Sequence, residues 1–320
     1  MDPQEPQQTL IPEQINVPLP KKKDRTVLVL LALIAFAAIG TIGLFFISGT
    51  RQDTGAKFPP PIKSVNMPQE QTATSLTTTP TTMPDNPNTL QNPIKMATSD
   101  GAHYILYGQP AGQNNKAVKR IIFSLPGHGT AAEDDYNAWK EQLITNGNYA
   151  LASINWWDGK GESPSDYYSP TDVVREIYYF LTSQNYKKSD FVVLEGFSRG
   201  SANTYPVVAI DVYSKAQVID AVISASGKYQ SDFAITDALL NQNNGKPFSG
   251  IPWILICGEK DPNPTRDGCD GMRETQTFLT ERGAKVLGLL SDPNGAHGSF
   301  HKSPLKLAEK ALSMFDNLIK

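Results

Sequence analysis

The stretch Phe191-Val192-Val193-Leu194-Glu195-Gly196-Phe197-Ser198-Arg199-Gly200 decides how this chain is read. An apolar run of strand character enters Gly-x-Ser-x-Gly, and a helix-compatible segment starts at Ser201. A serine at the tip of a sharp strand-to-helix turn is held in a strained backbone. The turn needs residues with no Cβ on both sides, here Gly196 and Gly200. The hydroxyl then projects clear of the sheet, at the positive end of the following helix, where developing negative charge is favoured. Ser198 is therefore a candidate nucleophile. Five residues of this pattern also occur in ordinary loops, so the surrounding chain has to carry the reading.

Working outward, strand and helix patterns alternate. Residues 94–98 and 103–107 flank the turn signal Ser99-Asp100-Gly101 and predict an antiparallel hairpin. Residues 120–125 predict a short buried strand that ends in Pro126-Gly127-His128-Gly129-Thr130. Helical character over 133–146 is followed by a strand over 149–157 and an amphipathic helix over 172–183, with Val173, Ile177 and Phe180 on one face. After the Phe191 strand come a helix to about 213, strands over 218–225 and 253–257, a helix over 272–282 and a strand over 285–290. A closing helix over 304–318 follows, with Ser303 as its expected cap and Pro304 in its first turn. This order predicts an α/β fold: a mostly parallel sheet with helices on both faces, preceded by the antiparallel hairpin. In such sheets chemistry collects in the loops at the carboxyl ends of the strands.

Those loops carry the residues of a resemblance. The region 93–320 resembles the α/β-hydrolases, in which the catalytic serine is followed along the chain by an Asp or Glu and then a His. Cys257-Gly258-Glu259-Lys260-Asp261-Pro262-Asn263, directly after a strand, resembles the acid-bearing loop, so the resemblance implies Asp261 as the acid, with Glu259 and Asp267 as alternatives. The Gly-rich segment Pro293-Asn294-Gly295-Ala296-His297-Gly298-Ser299-Phe300-His301 lies between the last strand and the last helix and supplies His297 as the base, with His301 as its rival. The two histidines could instead form a metal pair at i and i+4. That requires a helical backbone and a third ligand, and Gly298 argues against it; no metal and no cofactor is expected. His103 lies on the hairpin and reads as an ordinary side chain.

Acyl transfer also needs N–H donors aimed at the oxyanion. The resemblance implies the amide of Arg199, next after the nucleophile, and the amide of Thr130 after His128-Gly129, with His128 the next candidate. The aromatic segment that begins Trp156-Trp157-Asp158-Gly159 and runs to Tyr167-Tyr168-Ser169-Pro170 is a candidate substrate wall, Trp156 and Trp157 above all, or else plain packing. The Arg199 side chain is expected either to meet an anionic group or to pair with an acid such as Asp158. Between Gly227 and Gly250 there is room for little more than one helix and a loop, so a minimal cap and an open cleft are expected. Cys257 and Cys269 would close a short loop around Asp261 if they form a disulfide.

The first 92 residues are unlike the rest. Residues 1–25 are polar and end in the basic cluster Lys21-Lys22-Lys23-Asp24-Arg25. Residues 26–48 contain no charged side chain, and at 1.5 Å per residue they would span roughly 34 Å, close to a bilayer's hydrocarbon thickness. The basic residues on the N-terminal side predict a single-pass helix with a cytoplasmic N-terminus and an extracytoplasmic domain. A cleaved signal peptide is the alternative, opposed by the long polar leader and the long apolar run. Residues 49–92 are rich in Thr and Pro and read as a disordered linker.

The formal net charge of -3 over 320 residues gives no basis for nucleic-acid binding. These readings combine into a membrane-anchored serine hydrolase acting on small-molecule or polymeric esters, with the membrane as partner through residues 26–48. A peptidase or an acyltransferase on the same machinery is the alternative, followed by a non-catalytic binding domain.

Overall fold

The chain enters the fold as an antiparallel hairpin, β1 (Ile94–Ala97) and β2 (Tyr104–Gly108). Then follow β3 (Arg120–Leu125), α1 (Ala132–Leu143), β4 (Ala150–Asn155), α2 (Pro170–Ser183) and β5 (Phe191–Phe197). The second half contains α3 (Arg199–Tyr213), β6 (Ala221–Ala225), α4 (Asp237–Leu240), β7 (Pro252–Gly258), α5 (Cys269–Glu281), β8 (Lys285–Asp292), α6 (Ser299–Lys302) and α7 (Leu307–Asp316). This computed structural model describes residues 90–319 apart from 111–119, 144–147 and 189. The expected tail, the apolar segment 26–48 and nearly all of the Thr/Pro-rich stretch lie outside the described residues. Among the described residues no helix is long and apolar enough to cross a membrane.

The eight strands form one sheet in the order β1-β2-β4-β3-β5-β6-β7-β8. From β3 to β8 neighbouring strands run parallel, and only the hairpin and its junction with β4 are antiparallel. Both faces are covered because the strands are apolar on both sides. Ile121, Phe123, Val192 and Leu194 point into a core shared with Val173, Ile177 and Phe180 of α2, Tyr205 and Val208 of α3, and Met272 and Leu279 of α5. The intervening Ile122 and Val193 face Trp139 and Leu143 of α1, and Leu312 and Phe315 of α7. Fully burying each such side chain stabilises the fold by roughly 1.5–3 kcal/mol, so burial on both faces anchors the central strands in the interior.

Local chemistry places the helix ends. Ser169 caps α2: its hydroxyl accepts from the Asp172 N–H while the Asp172 carboxylate accepts from the Ser169 N–H, and Pro170 occupies the first turn. The last helix departs from expectation. It begins at Leu307, three residues after Pro304, because Lys306 sits in the left-handed region at φ 52°. Residues 303–306 form a turn in which the Leu305 N–H donates to Ser303 Oγ (3.1 Å) and the Lys306 N–H to Ser303 O (3.1 Å). Ser303 therefore ends one turn instead of starting a helix, and the short α6 precedes it. Between β6 and β7 lie two four-residue helical segments, α4 and Gln242–Gly245, the second broken by Asn243 and Asn244 at positive φ.

Cys257, at the end of β7, and Cys269, at the start of α5, are joined in a disulfide with Cα atoms 5.1 Å apart. The bond closes the loop that carries Asp261. By loop-closure entropy, replacing both cysteines by alanine is expected to lower the unfolding free energy by about 3 kcal/mol. Urea titrations of the two proteins will measure it, and a change under about 1 kcal/mol would show that packing alone holds the loop.

Candidate active site

Ser198 is the turn between β5 and α3. Its backbone adopts φ 54° and ψ -114°, a region costly for any residue with a Cβ. Two contacts leave no room for side chains beside it. A Cβ on Gly196 would lie 2.4 Å from the Gly200 carbonyl, and one on Gly200 would lie 2.0 Å from the Leu125 oxygen of β3. The Ser198 N–H is tied to the Ala225 oxygen at the end of β6 (2.8 Å). Three adjacent strand ends thus hold the serine in place.

The structure brings three of the expected residues into one hydrogen-bonded row. His297 Nε2 lies 2.8 Å from Ser198 Oγ, and His297 Nδ1 lies 2.8 Å from Asp261 Oδ2. The other carboxylate oxygen of Asp261 accepts the Asn263 N–H at 2.8 Å, which fixes the carboxylate's orientation. With Nδ1 donating to Asp261, Nε2 is left as the acceptor for the serine proton. Asp261 is buried and His297 is one-third exposed, so the row runs from the interior to the surface.

The rival residues are placed elsewhere. His301 is separate from the row: both it and His297 pack against the Phe197 ring, at 5.1 and 5.2 Å. Burial, with a smaller contribution from Lys302, pushes His301 down to about 4, and its Nε2 is 3.8 Å from Asp135. Glu259 pairs with Arg273 at 2.6 Å. His103 packs edge-on against Tyr168, away from the row.

The loop after β3 differs from the expectation. The Thr130 N–H donates to Gly127 O at 3.2 Å, in a turn whose Gly129 has φ +61°. Thr130 is thus engaged within its own loop. Gly127 passes directly beside the nucleophile, since a Cβ there would lie 3.3 Å from Ser198 Cβ. The amide that follows, His128, has no acceptor among the described residues. The Arg199 N–H is the first in α3 and has no intrahelical carbonyl to bond. Among the described residues the His128 and Arg199 amides thus have no backbone acceptor, one next to Gly127 and the other next to Ser198 in the chain.

Trp156 is fully buried and donates from Nε1 to Pro126 O at 3.0 Å, so it supports the β3 loop from beneath and does not face a cleft as expected. Trp157 is partly exposed and stacks on Tyr167. Tyr167 was not singled out by the sequence reading, yet its hydroxyl accepts the Gly129 N–H at 2.9 Å and its ring lies 4.8 Å below the Arg199 guanidinium. The aromatic density of its segment is the only signal that pointed to it. The Arg199 side chain pairs with Asp232 (3.2 Å), not with Asp158, and also donates to Glu162 O.

Beneath the nucleophile lies a buried acid pair. Ser124 Oγ is hydrogen-bonded both to Asp135 Oδ2 and to Glu195 Oε2. A hydroxyl has one proton, so one of the two acids must supply the other. Burial first, then the Asp135 charge, raises Glu195 well above the carboxylate range, and burial raises Asp135 to about 6. Glu195 is the protonated member, and it also accepts the Trp139 indole N–H at 3.0 Å.

No protein-family model matches the sequence, and no curated protein does. Solved structures do match. An esterase/lipase from an uncultured bacterium is 12% identical over 72% of this chain and 85% of its own, with a TM-score of 0.54. A fungal esterase from Rhizomucor miehei is 12% identical over 71% of this chain and 82% of its own (TM-score 0.52). A Thermus thermophilus structure is 14% identical over 72% and 98% (TM-score 0.52). Together with the strand order and the elbow, these likenesses establish that the domain has the α/β-hydrolase fold.

A folded-state acid that holds its proton above its unfolded value loses stability as pH rises from the unfolded value through the folded one. Glu195→Gln removes that titration, and its amide oxygen can take the Oε2 position, where it accepts the Trp139 indole N–H and meets Ser124 Oγ. Its urea midpoint is expected to fall less steeply than the wild type's as pH rises above the ordinary glutamate value. Parallel slopes would show that Glu195 is ionised in the native protein.

Proposed function

We propose that this chain is a serine hydrolase that cleaves carboxylic esters through an acyl-enzyme on Ser198. The observation that carries the reading is the row Ser198–His297–Asp261 with both links at 2.8 Å, beside free amides at His128 and Arg199. His297 Nε2 takes the serine proton as Oγ attacks the acyl carbonyl, and returns it to the leaving alkoxide. Asp261 keeps Nδ1 protonated and offsets the imidazolium charge. The His128 and Arg199 amides bind the oxyanion, each worth about 3–4 kcal/mol in a site of this kind. Water activated by the same imidazole then releases the acid.

The short insertion between β6 and β7 leaves little to cover the serine, which favours bulky or polymeric esters as well as small ones. The esterases among the solved structures support ester over amide chemistry by likeness of fold. For location, the uncharged segment 26–48 behind a basic cluster supports a single-pass anchor with the domain on the outer side.

Hydrolysis of p-nitrophenyl esters by the full chain tests the reading. Ser198→Ala and His297→Ala are expected to lower kcat/KM by 10⁴-fold or more, on the order seen for other triads. His301→Ala is expected to stay within about tenfold of wild type. A fully active Ser198→Ala protein, or loss with His301→Ala but not with His297→Ala, would overturn the assignment. Protease added to intact cells is expected to remove the domain, and complete protection would refute the outward orientation.

A further inference from the structure

We propose that Asp267 is a second carboxylate of the acid end of the catalytic row, a positioning residue whose charge, set against Arg266, favours the imidazolium form of His297. The proposal rests on the triad reading above. One oxygen of Asp267, one of Asp261 and one ring nitrogen of His297 lie within 4.8 Å of one another. Asp267 is only 3% exposed, so this is not a solvated surface acid that happens to lie nearby.

The loop is built to place it there. The Asn263 carbonyl gathers three successive amides, those of Arg266, Asp267 and Gly268, at 3.1, 2.8 and 3.0 Å. Gly268 passes so close to the acid that a Cβ on it would meet Asp261 Cβ at 2.9 Å. The Cys257–Cys269 disulfide closes the loop one residue later. Arg266 then grips the Asp267 carboxylate with Nε and Nη2 at 2.9 and 2.8 Å, its own head largely in solvent.

Two carboxylates this close repel unless a cation answers them. Arg266 answers one. With neutral imidazole, Asp261, Asp267 and Arg266 sum to one negative charge. When His297 accepts the Ser198 proton, the cluster becomes electroneutral. Without Asp267, the same transfer would leave it with a net positive charge. Asp267 thus favours the protonated base at the step where it forms. The other charged groups nearby do not duplicate this role: Asp232 is held by Arg199, and the buried His301 packs against Phe197 and is neutral.

Because the natural ester is unidentified, the test uses a fluorophosphonate probe on the full chain and follows the second-order rate of Ser198 labelling against pH. Labelling needs the neutral imidazole, so its acid limb reports the protonation of His297. Asp267→Asn removes a negative charge near the ring, and the limb is expected to move to lower pH by about one unit. Arg266→Gln removes the opposing charge from an exposed side chain, and the limb is expected to move to higher pH. Opposite shifts are what the charge account requires and what loop damage cannot produce. Unshifted limbs, or shifts of the same sign, would overturn the proposal, and should Asp267→Asn fail to fold, an unshifted Arg266→Gln limb would do so alone. A wild-type chain that the probe does not label at Ser198 would instead overturn the triad reading beneath it.

Discussion

The structure depends on holding one residue in a backbone conformation that it does not favour. Ser198 has a Cβ and yet sits at φ 54° and ψ -114°, a strain on the order of 1–3 kcal/mol. What holds it is the meeting of three strands and a helix. β5 delivers the serine, the end of β6 takes its N–H, and the end of β3 presses against the first turn of α3 through Gly200. The central strands are buried on both faces, so this junction cannot relax without disturbing the core. The strain is maintained by packing far larger than itself, and its product is a hydroxyl raised to a histidine on a separate loop.

Charge is distributed around the serine with the same economy. Below it, in the sheet, Glu195 is kept neutral by burial and by the neighbouring Asp135. An ionised carboxylate there would oppose an oxyanion forming three residues away. Beside it, at the mouth of the sheet, Asp261 and Asp267 lie close to the His297 ring, the proposed base. In the proposed mechanism this arrangement keeps negative charge off the oxyanion side and places it on the imidazole side. The disulfide and the Asn263 carbonyl keep the second pair of acids in one loop, and Ser124 links the first pair to the β3 strand.

Much of this was legible in the sequence. Short continuous apolar runs alternating with helical patterns pointed to the parallel sheet, and the loops after three of its strands drew attention to Ser198, Asp261 and His297. What was not legible depended on contacts between distant segments. Counting from His128-Gly129 pointed to the Thr130 amide, but the turn closed by its bond to Gly127 O is a matter of local dihedrals. Trp156 and Trp157 are adjacent in a strand exit, where side chains alternate, so one went into the core and the other stayed at the surface. Arg199 pairs with Asp232, thirty-three residues on, and not with Asp158, a choice set by how distant loops meet. Pro304 suits a first helical turn, yet the left-handed Lys306 delayed α7 to Leu307.

The central claim is that Ser198 forms a covalent bond to the acyl group. Mixing the full chain with p-nitrophenyl acetate, quenching in acid within the first turnover and measuring intact and peptide masses tests it most directly. An increment of one acetyl group is expected, confined to the peptide that contains Ser198 and absent from Ser198→Ala. Turnover of the ester with no covalent adduct, or an adduct on another residue, would contradict it.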